Sequence, residues 1–246
     1  MKSYLKFLLS NLIAHRGYYS LDKSIPENSF PAFMLAIEKG YIIELDLHIL
    51  KDGNVVVFHD DNLNRMTGVD KNIKDTVYSD IKNLRLQNTN NYIPLFKDVL
   101  NLINGRVPII VEFKYDVRVG LLEKAAMDIL KNYNGEFVVK SFSPLSVLWF
   151  KKHYPNVIRG FLSSSFDQEK CFIKKLFLKS TFLFSLMDIN FLSYDINSLP
   201  DKKVEKFRKN HVVLGWTVRN KKDFDKGKLY CDNLICENFE TFVVDK

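Results

Sequence analysis

Short apolar runs alternate with amphipathic stretches along most of the chain. Residues 12–14 read as a short buried strand. After Pro26-Glu27-Asn28-Ser29, residues 30–39 carry helical periodicity and end at Gly40, a C-terminal capping residue. Residues 41–49 read as a strand, Lys51-Asp52-Gly53-Asn54 as a turn and 55–58 as a second strand; Asp-Gly between apolar runs is a strong hairpin signal. Residues 60–92 are polar, rich in Asn and Asp, and predict an excursion with a short helix near 78–84. Beyond it, predicted helices at 95–103, 120–133, 145–153, about 168–178 and 202–210 interleave with predicted strands. Those strands lie at 107–113, 136–140, 157–162, 191–194, 212–218 and 233–236. Such alternation predicts a parallel sheet with crossover helices. Roughly eight strand–helix units in this length fit a TIM (β/α)8 barrel. A doubly wound sheet is the alternative, but no GxGxxG or Walker loop is present. Neither a linker nor an internal repeat interrupts the pattern, so residues 1–246 read as one domain with an insertion at about 60–92.

Composition narrows the function class. Of 246 residues, 46 % are hydrophobic, enough for a full-size core. Lys and Arg number 36 against 29 Asp and Glu, a net charge of +7 that suits anionic partners. Most of the excess is scattered Lys, as on an ordinary solvated surface. Cys171, Cys231 and Cys236 form no CxxC pair, and this odd count points to a reducing compartment and a cytoplasmic location. The N-terminal MKSYLKFLLSNLIAHRG has no small-residue cleavage site and reads as a short helix or lead-in to the first strand. No apolar run reaches the ~18–20 residues needed to span a bilayer. Residues 172–179, with Phe182 and Phe184 after them, mix Lys with apolar side chains and suit a peripheral contact with an anionic membrane.

Four places carry candidate chemistry. In Glu44-Leu45-Asp46, alternation puts both carboxylates on one face of a strand. Side by side they repel unless a cation joins them, and oxygen ligands suit Mg²⁺ or Ca²⁺. Glu112 ends an apolar strand, where a charge needs a partner, and it shares a face with Lys114. His15-Arg16-Gly17 closes the first strand with a proton-transfer group, a fork for phosphate oxygens and a residue free to turn. His59-Asp60 closes the hairpin's second strand in the same way. Taken singly, each has a bland reading: a solvated strand face, a Glu–Lys pair, a hydrogen-bonded histidine.

The ordered set resembles the glycerophosphodiester phosphodiesterase family. The resemblance runs through His15-Arg16-Gly17, Pro26-Glu27-Asn28-Ser29, Glu44-Leu45-Asp46, Lys51-Asp52-Gly53, His59-Asp60 and Leu63-Asn64-Arg65-Met66-Thr67. It continues through Ile93-Pro94-Leu95 and Glu112-Phe113-Lys114, and more weakly through Ser141-Phe142-Ser143-Pro144 and Trp216-Thr217-Val218. It implies a TIM barrel with a small insertion after the second strand. It implies Mg²⁺ or Ca²⁺ on Glu44, Asp46 and Glu112, His15 and His59 as acid and base, Arg16 and Lys114 on phosphate, and Trp216 lining the pocket near the glycerol moiety. The implied path is attack by a glycerol hydroxyl on phosphorus, giving a cyclic phosphate that water opens; direct attack by water is the other path. Two positions depart from the family pattern: Arg219 stands where Asn usually follows Trp-Thr-Val, and Cys236-Glu237 where Thr-Asp usually ends the last strand. The expected partner is a small glycerophosphodiester. A lysophospholipase D acting on membrane lipids is the alternative, followed by an inactive phosphodiester-binding barrel. No nucleic-acid-binding motif is present, so nucleic acid is not an expected partner. The residues do not choose the head-group alcohol, the metal, the acid among the two histidines, or the oligomeric state.

Overall fold

The computed structural model describes residues 3–114, 119–165 and 181–243. The fold is a TIM (β/α)8 barrel. Its strands are β1 (Ile13–Ala14), β2 (Ile42–Ile49), β3 (Val55–Val57), β4 (Ile109–Phe113), β5 (Phe137–Ser141), β6 (Arg159–Ser163), β7 (Phe191–Asp195), β8 (Val212–Val218) and β9 (Asn233–Cys236). The sheet order is β1-β9-β8-β7-β6-β5-β4-β2-β3, and a β1–β2 pairing brings the order back to its start. β3 is the exception to the barrel pattern, because it runs antiparallel to β2. The chain divides into two compact units, 14–137 and 1–13 with 138–246.

In the unit of residues 14–137, α1 (Phe30–Glu38) begins at Ser29, whose Oγ accepts from the Ala32 N–H. Proline in the first turn loses nothing there, since its missing N–H would have had no intrahelical partner. α1 ends at Lys39, followed by Gly40 at φ 70°, a left-handed turn that glycine takes without strain. β2 is buried on both faces along most of its length, as a barrel strand between helices and core must be. The hairpin predicted at Lys51-Asp52-Gly53-Asn54 joins β2 to β3 with Leu47, His48 and Ile49 opposite Val57, Val56 and Val55.

The 60–92 segment holds α2 (Asn64–Thr67), α3 (Tyr78–Ile81) and two single turns at Ile73–Asp75 and Leu86–Asn88. The helix predicted near 78–84 is therefore shorter than expected. Leu63, Met66, Ile73, Ile81 and Leu86 pack with Leu50, Val56, Phe58 and Ile93 into a small core that fixes the segment against the hairpin. α4 (Phe96–Ile103) and α5 (Leu121–Leu130) flank β4 in the chain. In the other unit, α6 (Pro144–His153), α7 (Thr181–Met187), α8 (Lys202–Arg208) and α9 (Lys221–Tyr230) separate the strands.

The N-terminal stretch is a 3-10 turn over Ser3–Leu9 with Leu5 and Leu8 buried, matching the short-helix expectation. The pattern of apolar and polar residues predicts neither α7 nor α9. The helix predicted near 168–178 and the basic aromatic stretch 172–179 lie outside the described residues. Among the described residues no helix is long and apolar enough to cross a membrane.

Candidate active site

Seven of the eight candidate residues lie in the unit of residues 14–137 and converge at the ends of its strands. Three local devices bring them there. First, the chain leaves β1 through His15, Arg16 and Gly17. Arg16 and Gly17 sit at φ 58° and 80°. A Cβ on Gly17 would lie 2.9 Å from Ala32 backbone, so only glycine lets the chain turn this closely against α1. The left-handed Arg16 costs on the order of 1 kcal/mol, strain of a kind that concentrates at functional sites. Asn28, also left-handed at φ 53°, donates its N–H to the Arg16 carbonyl at 2.8 Å. Second, β2 and β4 pair in parallel register with Asp46 opposite Glu112, so the predicted same-face carboxylates meet across the strands. Third, β3 returns along β2 so that the Phe58 N–H donates to the Asp46 carbonyl, and His48 Nε2–H donates to the His59 carbonyl at 3.2 Å. That pair of contacts delivers His59 beside Asp46.

Glu44, Asp46 and Glu112 are buried, and one carboxylate oxygen of each lies within 4.8 Å of the others. Lys114 Nζ sits 2.6 Å from Glu112 Oε1 and 2.8 Å from Asp46 Oδ1. The Arg16 backbone N–H donates to Glu44 Oε2 at 3.1 Å, and Arg16 Nε is 3.5 Å from Asp46 Oδ2. Asn28 Nδ2 donates to the same Asp46 oxygen at 2.9 Å. His15 Nε2 is 3.9 Å from Glu44 Oε2. Burial opposes ionisation of Asp46, but the Lys114 and Arg16 charges outweigh it and hold its carboxyl well below the ordinary range. Burial likewise opposes the Lys114 ammonium, yet Asp46 and Glu112 raise its pKa above the ordinary lysine value.

A second layer of charge surrounds this one. His59 Nδ1 lies 2.6 Å from Asp60 Oδ1. Burial pushes the Asp60 carboxyl up, but hydrogen bonds from His59 and Arg65 prevail and keep it far below the usual carboxylate range. An ionised carboxylate only accepts, so His59 Nδ1 donates to Asp60. Arg65 reaches Asp60 and Glu27 together, and Glu27 Oε1 also accepts from Arg16 Nη1 at 2.8 Å. Linked in this way, among the described residues, five carboxylates (Glu27, Glu44, Asp46, Asp60, Glu112) meet three cations (Arg16, Arg65, Lys114). With neutral histidines the group has a formal charge of −2, which one divalent cation cancels. Carboxylate oxygens are the donors that Mg²⁺ and Ca²⁺ prefer. The residues therefore fit a divalent metal on Glu44, Asp46 and Glu112.

Glu27, Asn28, His48, Asp60 and Arg65 had no predicted role. All but His48 stand inside the short motifs that suggested the family, which is the signal that marks them. Trp216 lies in the other unit, half-buried on β8, with its ring edge-on to Phe142 at 5.5 Å between centroids. Its indole N–H has no hydrogen-bond partner among the described residues. The two departures from the family pattern pair with each other: Arg219 Nε donates to Glu237 Oε2 at 2.8 Å.

Comparison with known proteins identifies the family and bears out the fold. The profile of the Glycerophosphoryl diester phosphodiesterase family matches residues 15–238. A glycerophosphodiester phosphodiesterase of Caldanaerobacter subterraneus subsp. tengcongensis is 31 % identical over 246 residues, covering 94 % of this chain and 96 % of that one. The crystal structure of a Thermotoga maritima glycerophosphodiester phosphodiesterase superposes with a TM-score of 0.72 at 25 % identity, covering 92 % and 94 % of the two chains. An Oleispira antarctica phosphodiesterase, solved with the product sn-glycerol-3-phosphate, shares the fold with a TM-score of 0.77 at 22 % identity over 94 % of each chain. The chain belongs to the glycerophosphoryl diester phosphodiesterase family.

Proposed function

We propose that this member of the glycerophosphoryl diester phosphodiesterase family hydrolyses glycerophosphodiesters to sn-glycerol 3-phosphate and an alcohol, with Mg²⁺ or Ca²⁺ on Glu44, Asp46 and Glu112. The observation that carries the reading is three buried carboxylates within 4.8 Å of one another, in a group where carboxylates outnumber cations among the described residues. The full-length relative from Caldanaerobacter, named for this activity, supports the reaction class.

A phosphodiester carries one negative charge and gains more in the transition state. A bound divalent cation supplies electrophilic stabilisation of that charge. The chain's own residues do the rest. Lys114 donates to Glu112 and stands in ion-pair contact with Asp46, and a remaining N–H serves a phosphate oxygen. Arg16, held by Glu27 and Asp46, offers its remaining guanidinium N–H groups to the same phosphate. One histidine accepts the proton of the attacking oxygen and the other protonates the leaving alcohol. His59, with Nδ1–H on Asp60, presents Nε2 for either transfer. Attack by the glycerol hydroxyl gives a cyclic phosphate and frees the alcohol. Water then opens the ring with the proton movements reversed. Trp216 is assigned to the pocket wall near the glycerol moiety on the strength of the Trp216-Thr217-Val218 match. The reading takes the barrel as one domain with 60–92 inserted. It places the enzyme in the cytoplasm, in keeping with the free, buried thiols of Cys231 and Cys236.

The test is a panel of glycerophosphocholine, glycerophosphoethanolamine, glycerophosphoglycerol and a lysolipid, each assayed with Mg²⁺ or Ca²⁺ for release of glycerol 3-phosphate. Hydrolysis of at least one glycerophosphodiester, abolished by EDTA, is the expected result. No release from any of them, or full activity in chelator, sinks the reading.

A further inference from the structure

The 60–92 segment contributes more to the site than the position of its first residue. α2 is a single helical turn, too short to persist by its own hydrogen bonds. Its neighbours hold it. Leu63 and Met66 insert into the small core with Phe58 and Ile73. The Asn62 side chain accepts from the Asn64 N–H, and Thr67 Oγ donates to the Leu63 carbonyl. With one side pinned, α2 presents Arg65 on the other.

Arg65 makes two bidentate contacts. Nε and Nη2 donate to the two oxygens of Asp60 at 2.5 and 3.0 Å. Nη1 and Nη2 donate to the two oxygens of Glu27 at 3.0 and 2.6 Å. Four of five guanidinium N–H donors are thus spent on two carboxylates. Each carboxylate reaches one step further: Asp60 to His59 Nδ1, and Glu27 to Arg16 Nη1. The result is an unbroken chain of charge-assisted hydrogen bonds, His59–Asp60–Arg65–Glu27–Arg16. A surface ion pair held for stability alone contributes little and has no reason to terminate on two such groups.

We propose that Arg65 is a positioning residue that couples the proton-transfer half of the site to the phosphate-binding half, by bridging Asp60 behind His59 to Glu27 behind Arg16. The proposal rests on the reading of His59 and Arg16 given above. It also assigns a purpose to the 60–92 segment: its small core keeps this bridge in place. Loss of the bridge loosens His59, which lowers kcat, and Arg16, which raises KM. A lysine at position 65 keeps the charge but not the fork, so it cannot hold both carboxylates.

Wild-type hydrolysis of the best diester in the panel is measured first; its absence sinks the reaction assignment rather than the bridge. Arg65→Ala and Arg65→Lys are then expected to lower kcat about 10-fold or more, as small misplacements of catalytic groups do, and to raise KM. Their affinity for Ca²⁺ by calorimetry should stay as in wild type, because Arg65 touches none of the three metal-site carboxylates. Asp60→Asn and Glu27→Gln are made singly and together. In the wild-type background their effects on kcat/KM should be non-additive, and in an Arg65→Ala background they should add. Full activity of Arg65→Lys, unchanged kcat and KM in Arg65→Ala, or additive Asp60→Asn and Glu27→Gln effects in wild type would each overturn the bridge. If Arg65→Ala fails to fold, the Lys variant and the wild-type-background cycle still decide the matter.

Discussion

Two sets of basic side chains show how differently this chain uses charge. In the unit of residues 138–246, Arg159 is almost wholly buried on β6, paired with Asp188 at 2.7 Å, and its other N–H groups donate to the carbonyls of Pro155, Val157 and Met187. Arg208 follows the same plan, with Asp232 at 3.2 Å and the carbonyls of Leu229 and Cys231. One cation meets one carboxylate, and backbone acceptors take the remaining donors. In the unit of residues 14–137, Arg16 and Lys114 instead face an excess of carboxylates among the described residues. Buried charge costs several kcal/mol per ion unless it is paired. A closed pair meets that cost within the protein. An open cluster leaves charge that a ligand can meet, and such an imbalance among the described residues marks a candidate functional site.

Removing a charge from the open cluster should break this contrast most sharply. Glu44→Gln keeps the acceptor for the Arg16 N–H but removes a ligand charge. Turnover should fall roughly 10³-fold, the equivalent of several kcal/mol of charge stabilisation. In EDTA the variant should melt no lower than wild type, because a repulsion has gone. Wild type should gain about 2.7 kcal/mol at metal one hundred times its Kd, and Glu44→Gln should gain much less. A variant that is destabilised in EDTA would show the cluster to be closed after all.

Next in size are the histidines. His15→Ala and His59→Ala should each lower kcat by ~10²-fold or more, with circular dichroism and Tm close to wild type. Near-normal turnover in both removes them from the chemistry. The closed pair should behave the opposite way. Arg159→Ala should cost on the order of 1–3 kcal/mol of stability, by leaving the carbonyl of buried Met187 without its donor, while kcat and KM of the folded enzyme stay unchanged. Urea unfolding and steady-state kinetics on the same preparation separate the two.

The smallest effect expected is one of pH. The folded Asp60 carboxyl is held far below its unfolded value by His59 and Arg65 against the opposing effect of burial. Its contribution to stability is complete above the unfolded pKa of about 3.9 and is lost as pH falls toward the folded value. The Tm difference between wild type and Asp60→Asn should be flat from pH 8 to about 5 and shrink below about 4. A difference that grows in acid would contradict the ion pairing.

Much of this was legible in the chain itself, and the residues show why. Period-two alternation put Glu44 and Asp46 on one face, and an apolar run put Glu112 at a strand end, because both are local consequences of a pleated backbone. Asp52-Gly53 marked the hairpin for the same local reason. α9 was not legible: Lys221–Tyr230 is mostly charged, with Gly227 inside it. It is a helix because Gly227 lies against Leu234, where any Cβ would meet a leucine methyl at 2.4 Å. The contact joins a helix to the strand after it, and periodicity within the helix alone does not encode it.

By itself, then, the sequence determined the barrel's strand–helix alternation, the carboxylate and histidine positions at strand ends and, through their order, the family. Those properties follow from short-range periodicity and from residue type. Tertiary structure decided what the charges do to one another. Only the parallel register of β2 and β4 sets Asp46 opposite Glu112. Only the fold of the 60–92 segment carries Arg65 back to Glu27, 38 positions away in the chain. Electrostatic energy depends on distance and burial rather than on spacing along the chain, so the charge imbalance that marks the site existed nowhere until the strands were paired.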